Sequence, residues 1–472
     1  MHVVSKSFGF RLLPLGALGL LVHCVGDDPT AVVAGSDAGP PVADAASAID
    51  ASPAIDAAAI EDASTPPLGA FGRIQQIVAG EAFTCALGTS GQVRCWGSNS
   101  LGQLGQERPE SSRNDVSVTA TVPFDTGTRV VELAAAYETV CARFEDLTVR
   151  CWGAGAEGER GSGDKTSRGR APGDLAQTAV DLGGRGASRI YAGTRHFCVI
   201  VHNEGDVLCW GLGKDNGGRF GWLGRGDDST IGDDNGEMGA ALSRVPLREK
   251  TTDLALGFTS TCALGANGTV RCFGTARGGQ LGNSSADATA DVHDVDTAPE
   301  TATGVSALFG KGPAYAASKT DATTVTWGDA SNGRLGLGNT TSQFAPVLLP
   351  TKATAVRTIV SASSHRCVLL VDGALSCVGD GAFGKLGYGD TAPRGESEAT
   401  SVNVLAPTRT AVAQVAVGGD HTCAVLTPDE AASDRVVCWG LNTNGQLGPV
   451  VGIELGGTPV TAAATLPAFR IE

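Results

Sequence analysis

An all-β array of seven repeated units, closed into a ring, is the fold class that this 472-residue chain predicts, and three observations predict it. The stretch CALGTSGQVRCWGSNSLGQLG, from Cys85 to Gly105, recurs in copies whose starts are spaced by roughly 52 to 64 residues. Short apolar runs alternate with Gly, Asn, Asp and Pro clusters, and 66 glycines against two methionines suit a turn-dense β protein. Twelve of the thirteen cysteines fall into within-copy pairs, and the copy that lacks one cysteine lacks both.

Each copy reads as a hairpin. With Cys85 opposite Cys95, Ala86 faces Arg94, Leu87 faces Val93 and Gly88 faces Gln92. Thr89-Ser90-Gly91 is then a three-residue loop whose last position takes the left-handed conformation that costs glycine least. Further copies begin at Cys141, Cys198, Cys262, Cys367 and Cys423, and one lies around Tyr315 to Gly328, with Tyr315 and Thr326 at the cysteine positions. Gly268 and Gly373 repeat the Gly91 placement, whereas Leu147 in the second copy predicts a different turn. The closing LGQLG returns as a G-x-L-G turn at Gly278, Gly333, Gly384 and Gly445.

Between hairpins a second apolar pair recurs, such as Thr119–Phe124 followed by Val130–Ala136, giving each unit room for four short strands. The final TAAATLPAFRIE matches the strand that elsewhere precedes the next unit, and its continuation is the Ile74–Val78 strand at the other end. Joining the two closes the ring and removes the sheet edges that invite aggregation.

The joint loss of cysteines in one copy is what bonded partners would show. It predicts the disulfides Cys85–Cys95, Cys141–Cys151, Cys198–Cys209, Cys262–Cys272, Cys367–Cys377 and Cys423–Cys438, and with them an oxidising compartment. Zinc is the rival reading, but no C-x-x-C occurs in the chain. The net charge of −15 argues against nucleic acid, whose phosphates it would repel.

Residues 1–24 have the form of an export signal, with Lys6 and Arg11 ahead of the apolar LLPLGALGLLV, which is too short for a membrane span. The unpaired Cys24 follows in Leu21-Val22-His23-Cys24 and resembles the lipidated cysteine of a bacterial lipoprotein signal, with His23 where that motif has a small residue. Ordinary cleavage nearby is the alternative. Residues 25–70 are rich in Ala, Asp, Ser and Pro and hold no aromatic residue, a composition that predicts a disordered tether. The ordered part then begins near Phe71 and runs to Glu472.

The pattern G-x-x-H-[ST]-C-A-L, then G-x-V-x-C-W-G, then G-x-L-G resembles the regulator of chromosome condensation repeat, over about residues 71–472. Gly80, Leu87, Gly91, Trp96, Gly97, Gly102, Leu104 and Gly105 occupy that family's positions in the first unit. The resemblance implies a seven-bladed β-propeller with four-stranded blades, closed by the N- and C-terminal strands. It also implies protein recognition on the faces of the ring, including guanine-nucleotide exchange on a small GTPase in eukaryotic members. A secreted β-lactamase inhibitory propeller is a relative in kind. Paired cysteines, an export signal and an acidic tether all depart from the eukaryotic prototype.

His196, His365 and His421 each stand two residues before the first cysteine of a hairpin, which spreads them around a ring as structural residues bonding a neighbouring turn. Trp96, Trp152, Trp210, Trp327 and Trp439 recur at one repeat position and read as packing residues. Gly153 to Gly158 satisfies G-x-G-x-x-G, but no helix follows to hold a pyrophosphate, so it reads as the second unit's glycine turn. Arg225-Gly226-Asp227 is an adhesion tripeptide by composition alone. What departs from the repeat is the better guide, because loops on a rigid scaffold carry binding. After Gly211 the third unit carries a long insertion with Phe220, Trp222, Asp227, Asp228, Asp233 and Asp234, a candidate binding loop; its carboxylates suit either calcium or a solvated acidic surface. The seventh unit lengthens its hairpin turn through Thr427–Asp434, at the opposite strand ends and hence on the opposite face.

These features predict an exported, lipid-anchored, monomeric protein-binding module of the cell envelope, not an enzyme, with no cofactor, no metal and no nucleic-acid partner. It would meet the membrane only through the lipid, or be periplasmic or secreted without it. Guanine-nucleotide exchange and inhibition of an envelope enzyme are the alternatives.

Overall fold

The computed structural model describes residues 70–108, 114–115, 118–124, 127–214, 221–275, 277–284, 300–350, 355–396, 404–405, 411–426, 434–449, 463 and 466–471. The export signal with Cys24, the predicted tether, Phe220 and most of the lengthened turn Thr427–Asp434 lie outside these residues. Within them the secondary structure is strand, interrupted only by three-residue 3₁₀ turns.

Seven antiparallel sheets follow one another along the chain. Their first three strands are Ile74–Ala79, Phe83–Gly88 and Val93–Ser98 in sheet one; Val130–Ala135, Thr139–Phe144 and Val149–Gly153 in sheet two; and Ala187–Ala192, His196–Val201 and Val207–Gly211 in sheet three. Sheet four has Thr251–Leu256, Ser260–Gly265 and Val270–Gly274, and sheet five has Val305–Gly310, Ala314–Lys319 and Thr324–Gly328. Sheet six has Val356–Ser361, His365–Leu370 and Leu375–Gly379, and sheet seven has Val412–Val417, His421–Leu426 and Arg435–Gly440. The first strands stand side by side, and that of sheet seven lies next to that of sheet one.

Among the described residues the expected fourth strand is present in sheets one, four and five, as Asn114–Asp115, Glu300–Ala302 and Gln343–Leu348. In sheets two and three the outermost position is held by isolated bridges, Arg150 to Ala179 with Gly153 to Arg168 and Leu208 to Arg244 with Gly211 to Ile231, and in sheet seven the described residues give Val436 to Phe469. In sheet three Val245 donates to Val207 O, and the next N–H on that side, Leu247, turns back to Val245 O instead of extending the ladder.

The C-terminal segment takes the place that the segment between units takes elsewhere, Phe469 on Val436 as Thr121 on Arg94. Phe469 bridges Val436 within its own sheet, while Ile74–Ala79 pairs with Phe83–Gly88 alone among the described strands. The seam between sheets seven and one is instead made by side chains and loops. Asp434 Oδ2 accepts the Ile74 N–H at 2.6 Å, Gln414 Oε1 accepts that of Ile77 at 3.1 Å, and Gly419 N–H donates to Glu81 O at 3.0 Å. The Phe469 ring stands edge-on to Trp96, with centroids 5.8 Å apart.

Cysteines face each other as expected. Cys85–Cys95, Cys141–Cys151, Cys198–Cys209, Cys262–Cys272, Cys367–Cys377 and Cys423–Cys438 are disulfide-bonded, each between directly opposed residues of strands two and three. Their Cα atoms are 4.0–4.1 Å apart, the close approach of a non-hydrogen-bonded pair. In sheet five the residue opposite Thr326 is Ala316, not Tyr315, which instead faces Trp327. Leu147 corrects a second expectation. It adopts φ 68° and its N–H bonds Phe144 O, as Gly91 does with Gly88 O, so the second hairpin has the same turn with a strained residue in it.

Sheet five explains its own missing disulfide. The Arg366 guanidinium from sheet six is fully buried, donates to Thr326 Oγ1 at 2.9 Å and to Leu335 O, and its pKa is pushed down to about 9 by desolvation. A disulfide sulfur could not replace that acceptor. In urea denaturation, Ala316→Cys/Thr326→Cys is expected to add no stability, or to destabilise by about 1–3 kcal/mol, because Arg366 loses its Thr326 acceptor and keeps only Leu335 O. Adding Arg366→Thr, the residue that sheets one, four and seven place there (Thr84, Thr261, Thr422), should turn this into a gain of about 2–3 kcal/mol. A gain from the cysteine pair with Arg366 intact would refute this account.

Adjacent sheets are joined by a repeated joint. The indole N–H of Trp96, Trp152, Trp210, Trp327 and Trp439 donates to a backbone carbonyl in the glycine turn of the preceding sheet, Gln446, Gln103, Glu159, Gln280 and Lys385 respectively, at 2.9–3.1 Å. Close approach fixes the last glycine of that turn: a Cβ on Gly105 would sit 2.7 Å from Trp152 Nε1. The histidines work beside it, bonding a hydroxyl of the next sheet rather than a turn. His196, His365 and His421 place Nε2 at 3.0, 3.0 and 2.8 Å from Oγ1 of Thr261, Thr422 and Thr84. Each threonine donates its own proton to a turn carbonyl (Trp222, Lys385 or Gln446), so the imidazole is the donor and its Nδ1 is left without a partner. The glycine in G-x-x-H makes room for the ring; a Cβ on Gly193 would lie 2.4 Å from His196 Cε1.

Candidate functional site

The loop after Gly211 is shorter and more regular than the sequence reading has it. Gly221-Trp222-Leu223-Gly224 is the third unit's own G-x-L-G turn, with Leu223 buried and Gly224 packed under Phe273 as Gly105 is under Trp152. Trp222 therefore holds the place of Gln103. Its carbonyl accepts the Thr261 hydroxyl at 3.0 Å, its ring is 2% exposed and lies 6.4 Å from His196, and it is a packing residue rather than a presented one. Beyond Gly224 the chain follows the second unit's connection, down to the bridge Gly211 to Ile231 that mirrors Gly153 to Arg168. The true insertion precedes the turn: nine residues lie between Gly211 and Gly221, against four between Gly153 and Gly158.

The carboxylates of this loop are largely committed to order. Asp228 pairs with Lys214 at 2.7 Å, Asp227 accepts the Ser229 N–H at 3.1 Å, and Lys165 of the second unit binds Asp233 and Asp234 at 3.1 and 3.0 Å. Oxygens of Asp233, Asp234 and Glu237 come within 4.8 Å of one another. Glu237, however, spends its Oε2 on the backbone N–H groups of Gly232 and Asp234. The cluster is thus a lysine-neutralised corner, with Asp228 and Asp234 the most exposed of its acids.

The sequence reading missed the channel lined by the seven first strands. One polar side chain on each of several strands, nine residues ahead of the first cysteine, reaches across to the next sheet. Gln76 bonds both N–H and C=O of Leu133 (2.7 and 2.9 Å), Glu132 accepts the Ile190 N–H at 3.3 Å, and Asp253 accepts that of Leu308 at 3.0 Å. A polar residue at one fixed distance before each cysteine, inside an otherwise apolar run, was the available signal.

At the end nearest the connections the channel is narrow. Lys311 Nζ crosses to Ala79 O at 2.8 Å, with its pKa pushed down to about 8 by burial despite the nearby Glu81. Glu81 is raised in turn, by burial first and then by Asp420. At the hairpin-turn end the channel opens into a cavity of about 620 Å³ with Glu132, Arg143, Arg189 and Arg357 in its wall.

Two family profiles, both described as "Regulator of chromosome condensation (RCC1) repeat", match residues 74–103 with 412–446, and residues 326–369. The chain carries RCC1 repeats. The RCC1-repeat chain is 28% identical to the ultraviolet-B receptor UVR8 of Arabidopsis thaliana over 281 residues, 59% of this chain and 58% of that one. It is 27% identical to the human E3 ubiquitin-protein ligase HERC2 over 372 residues, 78% of this chain and 7% of that one. It thus spans less than two thirds of these relatives. Among solved structures, Prp20p of Saccharomyces cerevisiae superposes with TM-score 0.61 at 18% identity, covering 85% of this chain and 88% of that one. Human WBSCR16 does so with TM-score 0.58 at 18% identity, covering 80% and 92%. These likenesses place the seven sheets in the RCC1-type propeller fold. Among the described residues no helix is long and apolar enough to cross a membrane.

Proposed function

We propose that this chain is an exported, non-enzymatic recognition module that binds a protein partner through the face bearing the connections between sheets. The supporting observation is how the repeat spends its residues. Indoles, histidines and polar channel residues are consumed in joints between sheets, while the loop from Gly224 to Met238 is held rigidly and turns Asp227, Asp228 and Asp234 outward. A rigid loop loses little entropy on binding, and its carboxylates suit a basic surface on the partner. Prp20p, similar to this chain in fold, binds Gsp1p and histones, in keeping with protein recognition by such a propeller.

Six buried disulfides favour an oxidising compartment and disfavour a cytoplasmic exchange factor, which would work with reduced cysteines. In this reading residues 1–24 direct export, Cys24 carries the lipid, residues 25–70 form the tether, and residues 71–472 form a monomeric head at the outer membrane or cell surface. The test immobilises the oxidised full chain against envelope extract. A saturable partner is expected, with affinity falling about tenfold or more when Asp227, Asp228 and Asp234 are changed together to Asn. Absence of any saturable partner, or binding indifferent to that change, would count against the proposal.

A further inference from the structure

We propose that the wide mouth of the channel, on the hairpin-turn face, binds a small anion carrying two or more carboxylate or phosphate groups. This site lies on the face opposite the acidic loop and does not depend on the protein-binding reading.

The mouth is built by a recurring irregularity. Every first strand slips register by one residue near its start, at Gln75, Val131, Ser188, Thr252, Ser306, Arg357 and Ala413. A bulge re-aims the extra side chain, and Gln75, Ser188 and Arg357 are among those that line the cavity. Its volume of about 620 Å³ falls in the range of ordinary small-molecule sites.

The charge of the wall is opposite to that of the protein. The chain carries −15 overall, yet the cavity has three guanidinium groups and a single carboxylate, Glu132. Glu132 meets Arg143 and Arg189 through their Nε atoms, at 2.8 and 3.4 Å. No protein acceptor among the described residues takes the Nη protons of either arginine, so the outer edges of both forks stay available. Arg357, exposed and contributed by sheet six, gives one Nη proton to Val371 O at 2.9 Å and has no carboxylate partner among the described residues. Guanidinium forks bind carboxylate and phosphate in bidentate fashion. Arginines arriving from sheets two, three and six therefore select a ligand with more than one anionic group.

The test titrates citrate and pyrophosphate into the full oxidised chain by isothermal calorimetry, at fixed ionic strength, with acetate as the single-charge control. One of the two polyanions is expected to bind saturably, and which one does so separates carboxylate from phosphate chemistry. Arg357→Gln should weaken that binding about tenfold, whereas Glu132→Gln, which keeps an acceptor for Ile190 but removes the only negative charge, should tighten it. Arg244→Gln, on the outer surface beside Glu204, should change nothing. The two mouth variants shift affinity in opposite directions, which a loss of folding could not imitate. The proposal fails if neither polyanion saturates below about 10 mM, if acetate binds as well, or if Arg357→Gln binds like the unaltered protein.

Discussion

Reduction of the six disulfides is expected to cost this protein on the order of 10 kcal/mol, enough to unfold it. The bonds span sequence separations of 10, 10, 11, 10, 10 and 15. In the chain-entropy account each such loop contributes about 2–3 kcal/mol by restricting the unfolded chain. A whole domain is stable by only about 5–15 kcal/mol, so even incomplete additivity leaves little margin. All twelve cysteines are 0–2% exposed, which makes reduction contingent on opening of a sheet. Thiol addition should therefore act slowly in native buffer and rapidly near the urea midpoint, followed by loss of near-ultraviolet circular dichroism. A reduced protein that kept its native spectrum and midpoint would show that packing between sheets suffices.

Acid should destabilise the fold steeply between pH 6.5 and about 3, through three histidines. Burial holds His196 and His421 at about 3; His365 lies well below its ordinary value, through burial first and then the nearby Lys385. The geometry gives the reason, since protonation would put a second N–H on Nδ1, where no acceptor stands. Because each folded-state pKa lies below the unfolded one, the stabilisation is complete above pH 6.5 and is lost as pH falls toward the folded value. At pH 5 the unfolded chain binds three more protons on these residues than the native one. This corresponds to about 4 kcal/mol per pH unit. Glu81, Glu138 and Glu159 work in the opposite sense, since burial raises them and the native state holds their protons longer. Comparison with His421→Gln, which retains a donor for Thr84, cancels the carboxylate contribution, and its slope at pH 5 should be smaller by about 1.4 kcal/mol per unit. Equal slopes for the two proteins would mean that the histidine is not neutral in the fold.

The hairpins were legible because their determinants are local. Cysteine spacing and the glycine three residues past Gly88 together fix the register of Cys85 on Cys95, which the structure reproduces residue for residue. Where the signal was substitution, legibility failed. With both cysteines gone from the fifth unit, Tyr315 drew the eye as the larger residue, although cross-strand pairing puts Ala316 there. The preference for glycine argues against Leu147 in this turn, whereas the turn holds it at φ 68° all the same. Trp222 stands away from the repeat position of the other tryptophans and so reads as part of an insertion, yet the turn needs only Gly221, Gly224 and Leu223. The channel was hidden for another reason. Its polar residues act on the neighbouring unit's backbone, 57 residues away in the case of Gln76 and Leu133, and no local pattern announces a contact of that range.

The seam between the last and first sheets has a mechanical meaning. The peptide enters the ring at Phe71, and the first residue of its first strand, Ile74, is held by Asp434 from the other end of the chain, with Arg73 paired to the same carboxylate at 3.2 Å. Tension applied through the preceding segment would first load the bonds of Phe71 and Arg73 to the Thr89–Ser90 turn of the same hairpin, and then this clasp, with Gln414 and the His421–Thr84 bond beside it. Pulling on Phe71 would thereby load a junction between Ile74 and Asp434, residues 360 positions apart in the chain.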